Sequence, residues 1–302
     1  MAGDLHCHTK LSDGSMGIED LVALAKKRGI DTIALADHDC MAGNVRGKII
    51  GERFGVTVVP GVELSSTDAQ SGREVHLLCY QSDFPDRLEG LCRRNSLERK
   101  KAAHYMMLKT AQRYPITTEL VVKCATGSTN LYVQHIMHAL MECGLTTDVY
   151  GELYRELFTA ESQKNVLVKP NYAETAEVLT AIHDAGGIAV LSHAQQLEDT
   201  DILERLTALG LDGVEVWTPE TSPEQSEALF AYAKKHSLLA TGGSNFKGLY
   251  NKSAVSVGTS VTPDIQLNEF MGYKAKQRKL HKKAEAAAAA AATDSATDAA
   301  EE

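Results

Sequence analysis

The strongest constraint on this chain is an alternation of short apolar strands with amphipathic helices. Residues 3–7 form a first strand. Ile18, Leu21, Val22, Leu24 and Ala25 then recur at helical spacing and stop at Gly29, a common helix end. The run TIALAD (32–37) reads as a buried strand ending in polar residues. A helix over roughly 42–54 follows, and then the strands VTVVPGVELS (56–65) and EVHLLCY (74–80). After an interruption the pattern resumes. A helix over 173–185 ends at Gly186-Gly187 and feeds IAVLS (188–192), one over about 199–209 feeds GVEVW (213–217), and one over about 223–236 feeds LLATGG (238–243). Elements of these lengths in this order imply parallel strands with helices outside, that is, an α/β barrel or a doubly wound sheet.

The interruption, residues 84–168, has no convincing strand and several helical patterns, of which ERKKAAHYMMLKTAQRY and NLYVQHIMHALMECG are the clearest. It reads as a helical cap inserted into a discontinuous α/β body, residues 1–83 and 169–273. From 274 the composition changes again: KAKQRKLHKK is basic, an alanine run follows, and the end is acidic. This tail, 274–302, has no apolar stripe to bury, so a frayed helix or disorder is expected and no chemistry is assigned to it.

Net charge is −9, which supplies no global basic field for duplex nucleic acid, though a small phosphorylated molecule can be held by local charge or metal ions. The cysteines at 7, 40, 79, 92, 124 and 143 have no CxxC spacing and read as reduced thiols. No secretory signal and no apolar run long enough to span a bilayer is visible, so the expected location is the cytoplasm.

Histidines and carboxylates fall at strand ends. His6 and His8 share one face of the first strand, and Asp13 follows in the next loop. His38 sits just beyond TIALAD, between Asp37 and Asp39. Glu63 follows VTVVPGV, His76 lies within EVHLLCY, and His193 ends IAVLS. In parallel α/β folds the carboxyl ends of strands converge on one rim, where sites are built. Imidazole with carboxylate at such a rim is a donor set for Zn, Mn or Fe.

HCHTKLSDGS, ALADHD, GVELS, the lone histidine of EVHLLCY, and GGIAVLSHA resemble the successive motifs of the polymerase and histidinol phosphatase (PHP) superfamily, over roughly residues 3–270. Their order is similar to its small phosphoesterase branch with a helical insertion, whose members act on nucleoside bisphosphates and on the 5′ ends of short RNA. The resemblance implies a distorted (β/α)7-type barrel with an inserted cap. It also implies two or three divalent metal ions: one at His6, His8 and Glu63, a second at Glu63, His76 and His193 with Glu63 bridging, and a third at Asp13 and His38.

The last motif departs from the family. Its Asp and His ligands correspond to Asn245 and Lys247 in GGSNFKG. Asn245 can coordinate only through a neutral carbonyl, and a protonated Lys247 cannot coordinate at all. Lys247 is therefore expected to stand in place of the third metal, paired with Asp13 and the substrate phosphate, in a two-metal enzyme. The alternative is a silent phosphate-binding protein. Arg99 in LERKK and His135 in YVQHIMHAL are the nearest matches to the family's substrate contacts, although the usual arginine before His135 is absent. The expected reaction is hydrolysis of a phosphomonoester of a small nucleotide or oligonucleotide end by metal-activated water, with Lys247, Asp13 and His193 at the reacting centre. A phosphatase for a non-nucleotide metabolite, resembling histidinol phosphate, is the second enzyme reading.

Overall fold

The computed structural model describes residues 2–196 and 200–298, with side chains up to residue 282 apart from those of residues 200 and 281. Residues 197–199, which include the start of the helix expected over about 199–209, and 299–302, the end of the expected tail, lie outside the described residues. The strands are β1 (Gly3–Cys7), β2 (Thr32–Leu35), β3 (Thr57–Thr67), β4 (Glu74–Tyr80), β5 (Ile188–Leu191), β6 (Gly213–Trp217) and β7 (Leu239–Gly242), paired in sequence order. They curl into a nearly closed barrel. Phe246 bridges the gap between β7 and β1: its N–H donates to the His6 carbonyl at 3.2 Å, and the His8 N–H donates to its carbonyl at 2.8 Å.

Outside the barrel lie α1 (Ile18–Lys27) and α2 (Asn44–Phe54). The insertion supplies α3 (Glu89–Ala111), α4 (Thr118–Cys124), α5 (Val133–Glu142) and α6 (Glu152–Phe158). The chain then returns through α7 (Thr175–Asp184), α8 (Thr200–Ala208), α9 (Pro223–Lys235) and α10 (Asp264–Asp298). The insertion has an apolar core of its own, in which Met106 and Met107 of α3 pack with Val121, Ile136, Leu140 and Leu157.

The expectation of uniformly parallel strands is corrected at β4, which runs antiparallel to both β3 and β5. The reason is connection length. Only residues 68–73 join β3 to β4, enough for a hairpin but far short of the helical crossover that a parallel pair needs. The reversal puts the start of β4, with His76, at the same rim as the ends of the other strands. It also sends the chain to the barrel floor at Tyr80, so α3 climbs back about 35 Å along the outside to reach the rim.

Helix α10 begins at Asp264, ten residues before the expected tail, and its first turns close the barrel floor. Leu267 and Phe270 pack against Leu5, Leu78, Tyr80 and Val190. The Phe270 ring meets the Tyr80 ring edge-on at 5.1 Å. Lys274, placed by the sequence at the start of the frayed or disordered tail, instead donates to the carbonyls of Gln81 and Gly186 at 2.7 Å and pairs with Asp83 at 2.6 Å. Replacing Phe270 by alanine empties a fully buried site and is expected to cost about 3–5 kcal/mol of stability, read from urea denaturation. A loss under about 1 kcal/mol would mean that the floor does not depend on this plug.

Candidate active site

Glu63 is the centre of the rim. Its side chain is fully buried, and its two oxygens face different imidazoles. Oε2 lies 3.3 Å from His6 Nε2, 3.2 Å from His8 Nε2 and 3.3 Å from His38 Nδ1. Oε1 lies 3.6 Å from His193 Nε2 and 3.7 Å from His76 Nδ1. Five of the expected histidines thus meet around one carboxylate, the six residues coming from five strands. The donor atoms of His6, Glu63 and His193 lie within 4.8 Å of one another, and so do those of His8, His38 and Glu63.

Glu63 Oε1 and the Nδ1 atoms of His38 and His76 have no hydrogen-bond partner in the described structure, and neither has Nδ1 of His193, whose Nε2 faces Glu63. Buried polar atoms are normally paired, so a cluster of unpaired donors of this chemistry fits divalent cations. Burial alone would raise the Glu63 pKa, but the neighbouring His38, His6 and His76 hold it well below the usual carboxylate range. Burial favours a neutral His6 ring, yet Glu215 and Glu63 push its pKa up to about 10. A cation bound there would displace that proton.

Asp13 and Lys247 form a separate ion pair beside this cluster. Lys247 Nζ donates to Asp13 Oδ2 at 2.7 Å, and Asp13 also faces His8 Nδ1 at 3.3 Å and His38 Nε2 at 3.8 Å. Burial opposes the Lys247 charge, but Asp13 and then Glu63 raise its pKa, so the ammonium persists. Asn245 Oδ1 is buried without a partner, on a backbone at φ +46°. His193 (φ +52°) and Asp39 (φ +49°) share this left-handed conformation. Three such residues at one rim mark strained strand ends that hold side chains in place.

Arg99 climbs to the rim on α3. It donates to Asp39 Oδ2 at 2.9 Å and to Ser65 Oγ at 2.6 Å, between the rings of Tyr132 and Tyr172 at 5.1 Å from each. It lines, with Lys247, Lys252, Tyr132 and Tyr150, a cleft of about 530 Å³ between cap and rim that reaches His38, His76 and His193. His135 is not brought to this cleft. Its Nδ1 accepts the Tyr132 N–H at 3.2 Å, capping α5, and burial pushes its pKa down to about 4, so it offers no cation to a phosphate. The sequence position matched a motif, but the helix turns that ring into the cap.

Three residues escaped the sequence reading. Glu215 on β6 accepts from His6 Nδ1 at 2.8 Å, Ser192 Oγ at 3.1 Å and the His193 N–H at 3.2 Å, so it orients two imidazoles at once. The available signal was a carboxylate inside the apolar run GVEVW, which is costly to bury unless paired. Glu74 faces His76 Nε2 at 3.2 Å, and Gln134 Nε2 reaches Asp13 Oδ2 at 3.4 Å. Carboxylates behind ligating histidines tune metal affinity. Glu215→Gln is therefore expected to weaken divalent-metal binding by about 10–100-fold in a competitive chelator titration. Unchanged affinity would reduce Glu215 to a fold-supporting role.

Residues 4–190 match the PHP domain family. The chain belongs to the PHP family. A relative from Eggerthella lenta named phosphoribosyl 1,2-cyclic phosphate 1,2-diphosphodiesterase is 32% identical, with 83% of this chain and 96% of the relative covered. A 5′-3′ exoribonuclease from Haemophilus influenzae is 27% identical, covering 80% of this chain and 89% of its own. A solved structure from Bifidobacterium adolescentis, provisionally named a metal-dependent phosphoesterase, superposes with a TM-score of 0.80 at 30% identity, covering 88% of this chain and 94% of that one. This PHP chain is a phosphoester hydrolase of the metal-dependent kind. Among the described residues no helix is long and apolar enough to cross a membrane.

Proposed function

We propose that this PHP protein hydrolyses a phosphoester of a small nucleotide or of a short RNA end. The observation that carries the reading is Glu63, whose two oxygens serve two sets of imidazoles beneath a cleft lined by cations and tyrosines. His6 and His193 with Glu63 would hold one divalent ion, and His8 and His38 with Glu63 a second, with His76 beside Glu63 Oε1. Mn, Zn and Fe all suit this donor set. Bound there, such ions supply Lewis acidity and an activated water.

The chain's own residues do the rest. The Lys247 ammonium, held by Asp13, faces the cleft and offsets charge on the phosphoryl oxygens, at a position where a third ion has no carboxylate to itself. Asn245 lines the same cleft with a neutral side chain. Arg99 is fixed by Asp39 and Ser65 before any ligand arrives, so its charge is preorganised. The relatives named for a cyclic ribose phosphate and for RNA favour a substrate built on a ribose phosphate over an unrelated metabolite.

The test is metal reconstitution followed by a hydrolysis screen. About two ions per chain and turnover of a nucleoside 3′,5′-bisphosphate or a 5′-phosphorylated RNA trinucleotide in Mn-containing buffer are expected. Less than about one ion per chain with no turnover of any phosphoester would leave only a silent binding protein.

A further inference from the structure

A cavity of about 430 Å³ borders the loops that carry Asp13 and Lys247, yet neither residue lines it. Its walls include Lys10 and Ser15 from the loop after β1, Lys123 from the cap, and Tyr250, which also lines the active-site cleft. The cavity therefore spans the seam between cap and barrel rim. The cap loop after α4 holds that seam. The Thr129 N–H donates to the Leu11 carbonyl at 3.0 Å, and Ser128 Oγ donates to the Ser12 carbonyl at 2.7 Å.

The lining has the chemistry of an oxyanion site. Lys10 and Lys123 bring two ammonium groups to one space, an arrangement that an anion between them relieves. Ser15 Oγ accepts the Leu249 N–H at 2.8 Å, which leaves its own proton to donate. His135 Nδ1 accepts the Tyr132 N–H, so the ring proton sits on Nε2 and His135 is a neutral donor in the same lining. The carboxylate in this lining, Glu142, faces His138 Nε2 at 3.5 Å.

Two sets of contacts lead from these walls to the Asp13–Lys247 pair. The Ser15 N–H donates to the Lys247 carbonyl at 3.0 Å. Tyr250 Oη meets His138 Nδ1 at 2.8 Å, and the Tyr250 carbonyl accepts from Tyr150 Oη at 2.9 Å. Gln134 Nε2 then reaches Tyr150 Oη at 3.2 Å and Asp13 Oδ2 at 3.4 Å.

We propose that this cavity is an effector site, which binds a phosphate-bearing anion and so clamps the cap to the rim loop that carries Asp13. Lys10 grips the anion from the rim loop and Lys123 grips it from the cap. The volume is that of a site for a small organic ligand and exceeds what one free phosphate fills, so the occupant is a phosphate group with a small organic part.

Equilibrium dialysis of metal-loaded, full-length protein tests this with propylphosphonate, whose carbon–phosphorus bond a phosphoesterase does not cleave, and with inorganic phosphate. About two phosphonates per chain are expected, one released when chelator removes the rim metals and one retained. Lys123→Glu and Lys10→Glu, both at exposed positions, are each expected to weaken the retained site by about ten-fold or more, while Lys123→Arg keeps it. Hydrogen exchange reads the clamp. The ligand is expected to slow exchange of the Thr129 and Leu249 amides by about ten-fold in wild type, and not in Lys123→Glu, whose rim site is intact. Tighter binding of propylphosphonate than of phosphate supports the organic occupant, and the reverse assigns the cavity to the free ion. No chelator-resistant binding, wild-type affinity in both glutamate variants, or binding without slower exchange overturns the effector site. Absence of the chelator-sensitive site alone counts against the metal centre, and the retained site still decides the cavity.

Discussion

Replacing Glu63 by glutamine is expected to lower kcat/KM by about a thousand-fold or more, with the fold retained. Glutamine has the same shape but one neutral carbonyl oxygen, and its other atom is a donor. Either the His6, His8 and His38 set or the His76 and His193 set must then lose its acceptor. The variant also removes the one carboxylate that lies among all five rings, so two dications are left with little to neutralise them. Metal analysis should fall to about one ion per chain or fewer, in step with the rate. Wild-type metal content with a wild-type rate would remove Glu63 from the centre of the mechanism.

The second large effect is expected at Lys247. Lys247→Met keeps the length and removes the charge, leaving Asp13 buried without its ammonium. Breaking a buried pair from one side costs about 3–5 kcal/mol, and the low end applies here because His8 and Gln134 still face Asp13. Denaturation of chelator-treated protein reads this cost without interference from metal. Adding Asp13→Asn removes the orphaned charge and should recover most of the stability. The rate should not recover: both variants lose about a hundred-fold, because the cation beside the phosphoryl oxygens is gone. Lys247→His is a third arm, expected to be slow until extra metal is supplied. A double variant that regains both stability and rate would assign Lys247 to folding alone.

The site was largely legible in the sequence because strand ends announce themselves. The spacing of His6 and His8 on one strand face brings their Nε2 atoms to 3.1 Å; His38, Glu63 and His193 follow apolar runs that read as buried strands, and His76 lies within one. The pairing of Lys247 with Asp13 could be anticipated from charge, since an ammonium in place of a metal needs the same carboxylate. What stayed hidden depended on tertiary packing. The reversal at β4 was written in the short gap of residues 68–73, but alternation elsewhere outweighed it. Tyr132 and Tyr150 sit on cap segments, and Tyr172 on the stretch returning from the cap, and no local pattern encodes their approach to the rim. His135 shows the opposite failure, a motif position whose side chain the helix turns away.

The outer part of the cap leaves and rejoins α3 and the barrel at nearly one point, where an Arg113 guanidinium N–H donates to the Lys164 carbonyl. Residues 114–163 between them contribute Tyr132, Gln134 and Tyr150 to the cleft walls but none of the imidazoles or carboxylates around Glu63. The segment is thus a cassette with adjacent ends. Exchanging it is expected to alter which molecule is admitted while leaving the imidazoles around Glu63 in place. Within this architecture, a change of diet needs only a new lid on the same hearth.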